Sequence, residues 1–116
     1  MSRTIYYERP DGRKPARDWL NAQDASIKPN IYRKLDDLRT KGLDLIKTRS
    51  MDIISGPDKG FYELRNRALG WRIAVYYNQK YDTFVLIHGW HKGNNYKLEI
   101  KKARDLLHEY FKMEPK

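Results

Sequence analysis

Three strand-like runs, Phe61–Arg65, Trp71–Tyr77 and Thr83–Trp90, follow one another with only Asn66–Gly70 and Asn78–Asp82 between them. A parallel crossover needs about a dozen connecting residues or more, so segments this short restrict the three runs to an antiparallel meander. No other feature narrows the fold as far. The elements around the meander follow from local patterning. Thr4–Glu8 has β-branched and aromatic content and is stopped by Pro10-Asp11-Gly12, which are turn residues. A short helix fits Lys14 to Ala22, with Pro15 in its first turn and Trp19 and Leu20 facing inward. A second follows in which Ile27, Ile31, Leu35 and Leu38 fall on one face. Ser26 is its expected N-cap, Pro29 is tolerated in its first turn, and Gly42 is its expected stop. Signals between Leu43 and Gly60 are mixed, and Gly56–Gly60 reads as a loop. A last helix is expected from Tyr96 to Phe111, with Ile100, Ala103, Leu107 and Tyr110 as its apolar stripe. The order β-α-α-β-β-β-α predicts an α+β fold: a small antiparallel sheet with helices packed on one face and the other face partly open.

The 116 residues suit a single domain spanning 1–116. Twenty-four Lys and Arg against 15 Asp and Glu give a net charge of +9, which predicts attraction to nucleic acid or an acidic protein. The basic residues run from Arg3 to Lys116, as on a folded basic face and not a basic arm. Apolar runs such as Phe84–Ile87 are strand-sized, far below the ~20 residues of a spanning helix. No signal-peptide pattern opens the chain and no cysteine occurs in it, so a cytoplasmic protein without disulfides or thiolate metal sites is expected.

Strand alternation places Glu63 and Arg65 on one face of their run, with Leu64 on the other. In the next run Trp71, Ile73, Val75 and Tyr77 form the apolar set, and Arg72 points away from it. A carboxylate and two arginines can thus converge on the open face. The plainer reading is a cross-strand ion pair contributing a few tenths of a kcal/mol, roughly. His88-Gly89-Trp90-His91-Lys92-Gly93 gathers two imidazoles, an indole and an ammonium at a strand end, a usual place for function. His88 and His91 should point to opposite faces, and His108 is far away on a helix, so no metal site is expected. Histidine here suits proton transfer or a phosphate contact. Trp90 suits stacking on a base or packing at the sheet end equally well.

Taken in order, Gly60-Phe61-Tyr62-Glu63-Leu64-Arg65, Trp71-Arg72-Ile73, Ile87-His88-Gly89-Trp90-His91-Lys92 and Glu99-Ile100-Lys101-Lys102-Ala103 resemble the RelE/ParE superfamily of toxins, especially its HigB or phage Gp49-like branch. The resemblance runs from about Ile27 to Tyr110. It departs after the aromatic residue of the third stretch, where this chain has a single Lys92 followed by Gly93 in place of two adjacent lysines. Asn94-Asn95-Tyr96 stands where that branch often has Thr-Pro. The resemblance implies a RelE-like fold and the toxin of a type II toxin–antitoxin pair. It further implies ribosome-dependent cleavage of mRNA without metal or cofactor, a cognate antitoxin as partner, and a heterotetramer with that antitoxin as one assembly. In such cleavage the RNA 2′-hydroxyl attacks the adjacent phosphate. This needs a base, positive charge around the phosphorane and a donor at the leaving oxygen. Glu63 is the expected base, with His91 as competitor. Arg65 and Arg72 are expected to hold the phosphate through forked donors, and Lys92 with His91 to serve the leaving group. Tyr96, Trp90 and His88 are expected to bind substrate. Two other readings fit the chain: a ParE-type DNA gyrase poison on the same scaffold, and a non-catalytic nucleic-acid-binding module.

Overall fold

Phe84, Val85, Leu86 and Ile87 are all buried although they alternate between the two faces of their strand. A strand apolar on both faces needs cover on both, and that requirement organises the chain. The computed structural model describes residues 1–114. Among them the order is β1 (Arg3–Tyr6), α1 (Pro15–Asn21), α2 (Lys28–Lys41), a 3₁₀ segment (Gly42–Lys47) and β2 (Met51–Ile53), then β3 (Phe61–Asn66) and β4 (Trp71–Asn78). A 3₁₀ turn (Gln79–Tyr81), β5 (Thr83–His91) and α3 (Tyr96–Met113) complete it. The sheet order is β1-β5-β4-β3-β2.

The α+β class and the antiparallel meander β3-β4-β5 are as expected, but the layering differs in three respects. Met51–Ile53 adds an antiparallel edge strand to β3, inside the stretch whose local signals were mixed. β1 pairs with β5 in parallel, Arg3 beside Thr83 and Tyr6 beside Leu86; its partner lies 80 residues away, so no local signal announces it. The helices do not share one face. Leu20 of α1 and Ile31, Leu35 and Leu38 of α2 pack on Leu64, Trp71, Ile73, Val75, Phe84 and Leu86. Ala103 and Leu107 of α3 pack on Tyr7, Phe61, Ala74, Val85, Ile87 and Trp90 on the opposite side. The expected open face is therefore half covered, because the inner strands are apolar on both sides. Ser26 also takes a different role. Its N–H and hydroxyl both donate to Asp24 Oδ1 at 2.9 Å, and α2 begins from Ile27 without a side-chain cap.

Between Ala74 and Val75 the register of β4 against β5 slips, with Ala74 opposite His88 and Val75 opposite Leu86. Ile87 is thus a bulge residue, and beyond it the alternation of β5 is reset. His88 and Trp90 come to the α3 side, their rings stacked 5.7 Å apart. Gly89 meanwhile faces α1, where the Trp19 ring lies so close that an added Cβ would sit 2.3 Å from it. Gly89→Ala is expected to overpack this contact and destabilise the fold by about 1–3 kcal/mol, read from urea unfolding.

β1 and the loop after it are tied to α3 by a charged knot. Arg9 Nε and Nη2 donate to the two Glu109 oxygens at 3.0 and 3.1 Å, and the Tyr7 hydroxyl donates to Oε1 at 2.6 Å. The hydrogen bond from Arg9, then that from Tyr7, hold the Glu109 carboxyl below its ordinary value of 4.5. A carboxyl depressed by folding contributes stability above its unfolded value and loses it as pH falls through the folded one. Glu109→Gln should therefore lower Tm at pH 7, and the gap to the native chain should close as pH falls below about 4.5.

Candidate active site

The register of β3 against β4 sets Arg65 directly opposite Arg72 and Glu63 opposite Ala74. Two cations face to face across a ladder repel one another; here a carboxylate lies between them. Glu63 Oε2 is 3.3 Å from Arg72 Nε and 3.6 Å from Arg65 Nη1. Asp52, opposite Glu63 on β2, adds a second carboxylate 3.6 Å from Arg65 Nη1. Each guanidinium also donates to a backbone carbonyl, Arg65 Nε to Arg49 at 3.1 Å and Arg72 Nη1 to Trp71 at 3.3 Å. With five N–H donors apiece, both retain donors for a ligand, and their side chains are 15% and 16% exposed. This is enough for an anion to reach them and little enough to keep their charge poorly screened.

Glu63 is the most enclosed member, 4% exposed. Its Oε1 is buried without a hydrogen-bond partner. Tyr96 stands beside it at the first position of α3, where Asn95 accepts a hydrogen bond from the Leu98 N–H and fixes the helix start. Burial first, and then the charge of Glu63, push the Tyr96 phenol up to about 12. The ring itself is half exposed.

The structure brings together Glu63, Arg65, Arg72 and Tyr96 from the residues the sequence singled out. Trp90 pairs with Arg72 across the ladder, but it is 2% exposed and packs in the α3-side core, its ring 6.4 Å from that of Tyr96. In this arrangement it is a neighbour of Tyr96 within the core and offers no free face. His88 lies farther along the same side, its Nε2 2.9 Å from Glu99 Oε2. His91 is on the other face: its Nε2 meets Gln23 Oε1 at 2.6 Å and its ring lies 5.6 Å from Trp19. The structure thus does not bring His91, the rival base and leaving-group partner that the resemblance implies, together with Glu63. The same strand alternation that separates His88 from His91 puts His91 on the α1 side. Lys92 is exposed at the end of the ladder, its N–H donating to Gly70 O at 2.8 Å, and two residues past Trp90 it follows the face of the arginines.

Two participants escaped the sequence reading. Asp52 sits on a three-residue edge strand with no pattern to reveal it. Glu99 lay in plain view within Glu99-Ile100-Lys101-Lys102-Ala103 but had no assigned role. It is buried, and burial pulls its carboxyl up while the contacts with His88 and then Lys102 outweigh this and hold it below the ordinary value. On the β1 side of α3, Arg9, Arg13, His88 and Lys102 line a cleft of about 430 Å³ together with Asp18 and Asp105. Its arginines and lysine are already engaged, Arg9 with Glu109, Arg13 with Asp11 and Lys102 with Glu99. Among the described residues no three His, Asp or Glu side chains gather as metal ligands would, and no helix is long and apolar enough to cross a membrane.

The fold is an α+β domain in which a buried carboxylate lies under two opposed arginines at one end of the sheet. The chain belongs to a family with such motifs: the profile of the phage-derived Gp49-like proteins matches residues 18–108, and this is the branch of the RelE/ParE superfamily that the motif order resembles. No curated protein sequence matches it. One similar solved structure is the toxin–antitoxin complex RelBE2 from Mycobacterium tuberculosis, 14% identical, with 78% of this chain and 96% of that chain covered and a TM-score of 0.48.

Glu63→Gln should leave Arg65 and Arg72 opposed without the charge between them. It is expected to cost about 1–3 kcal/mol in urea unfolding and to lower the Tyr96 phenol from its value near 12, followed by tyrosinate absorbance.

Proposed function

We propose that this chain is the toxin of a type II toxin–antitoxin pair and acts as a ribosome-dependent mRNA endoribonuclease that needs no metal. The observation that carries this reading is the convergence of Arg65 and Arg72 on the Glu63 carboxylate, with donors left on both guanidiniums. Forked donors that stay charged at any working pH suit a phosphate and the extra charge of a phosphorane. Arg49, Arg67 and Lys97 lie near this end of the sheet in the chain, where the +9 charge would favour a polyanion. In this reading the RNA 2′-hydroxyl attacks the neighbouring phosphate in line, the proton passes toward Glu63, and Lys92 serves the departing 5′-oxygen. Tyr96 offers its half-exposed ring to a base, while the buried Trp90 and the Glu99-bound His88 act by packing behind the site. An acidic antitoxin, neutralising the basic surface in the cytoplasm, completes the pair.

Induction of the native chain is expected to arrest growth, and primer extension on translated mRNA should show new 5′ ends. Arg72→Ala and Lys92→Ala should each lower cleavage at least 100-fold. Arg72→Lys, which keeps the charge against Glu63 but loses the fork, serves as the folded control and should recover only part of the activity. Full cleavage by Arg72→Ala would sink the assignment. Gyrase inhibition without cleavage would turn the reading to a DNA gyrase poison, and harmless induction to a non-catalytic binding module.

A further inference from the structure

Two carboxylates approach the arginine pair, and they are not alike. Glu63 is 4% exposed and its Oε2 serves both guanidiniums, so it is a fixed part of the site. Asp52 is directly opposite Glu63 on β2 and therefore on the same face of the sheet. Its side chain is 61% exposed, on an edge strand of three residues. One oxygen, Oδ1, accepts the Ile53 N–H at 2.8 Å. The other, Oδ2, lies 3.6 Å from Arg65 Nη1, beyond ordinary hydrogen-bonding distance. An exposed ion pair this long contributes little to stability. Its place is what matters. Arg65 is only 15% exposed and Glu63 is enclosed, so the open Asp52 stands on the side from which an anion must come.

We propose that Asp52 is an internal competitor for the substrate: its carboxylate occupies Arg65 until a backbone phosphate of RNA displaces it. The inference rests on the reading above that Arg65 and Arg72 receive that phosphate. No covalent bond changes in the exchange. Asp52 Oδ2 passes to water, phosphate oxygens take its place at Arg65 Nη1, and Glu63 stays between the arginines. Asp52 can give way because one oxygen only is tied, and that one to its own neighbour. A chain of net charge +9 attracts polyanions over much of its surface. A carboxylate at this point lowers the hold of the arginine pair on every phosphate that approaches, and so sets how tightly the site captures a strand.

Asp52→Asn keeps the shape and an acceptor for the Ile53 N–H and removes only the charge. A fluorescein-labelled 2′-O-methyl RNA oligonucleotide has no free 2′-hydroxyl to attack and reports binding alone. By fluorescence anisotropy at low salt, Asp52→Asn is expected to bind it about fivefold more tightly than the native chain. The slope of log affinity against log salt should steepen by about 0.7, as for one added phosphate contact on a single strand. Asp44→Asn makes the same change in net charge at a side chain 77% exposed and paired with Lys47; it should alter binding by less than about 1.5-fold. In an Arg65→Gln chain, Asp52→Asn should have no further effect, since its action runs through Arg65. Equal affinity of the native and Asp52→Asn chains, an equal gain from Asp44→Asn, or a gain that persists without Arg65 would each overturn the competitor. So would weaker binding by Asp52→Asn, the result expected if Asp52 serves to orient Arg65. All four leave the ribonuclease reading in place. Native protein that binds the oligonucleotide and cleaves no mRNA removes that reading alone, and native protein that does not bind it removes the phosphate site on which both depend.

Discussion

The burial of β5 on both faces is the constraint on which the rest depends. With Phe84 and Leu86 turned to one side and Val85 and Ile87 to the other, neither α1 and α2 nor α3 alone could complete the core. The chain answers with two apolar layers around one sheet, in which β5 is an inner strand between β1 and β4. Fully burying side chains of this size contributes about 1.5–3 kcal/mol each. A substitution that empties either layer is therefore felt across the whole sheet.

The bulge at Ile87 links that core to the site. A regular strand would carry Ile87 and His88 to opposite faces; the extra residue lets both remain on the α3 side. Ile87 stays in the core, His88 reaches Glu99, and Trp90 lies in the core with its ring 6.4 Å from that of Tyr96. The start of α3 is thereby held over β3 and β4. Placing side chains on packed strands and a capped helix end, and not on free loops, keeps their positions tightly defined.

Electrostatics in the site works against simple stability. Arg65 and Arg72 oppose one another, Glu63 lies between them with one buried oxygen left without a partner, and Asp52 adds a second carboxylate beside Arg65. Sheets usually avoid like charges at directly opposed positions. Here the opposition is tolerated because carboxylates from β3 and β2 lie within 3.3–3.6 Å of the two guanidiniums.

By itself, the sequence determined the meander, the apolar stripes of α2 and α3, and the facing of Glu63, Arg65 and Arg72. Each follows from a period of two or 3.6 residues or from a connection too short for alternatives. The opposite directions of His88 and His91 were legible for the same reason. Only the tertiary structure decided that β1 runs parallel to β5, that α3 closes the far face, and that His91 belongs with Gln23 and Trp19 and not with Glu63. It also decided that Asp52 joins the arginines and that Tyr96 comes to rest beside the buried carboxylate. These contacts join residues tens of positions apart, and side-chain periodicity carries no information about which distant strand or helix will supply the partner.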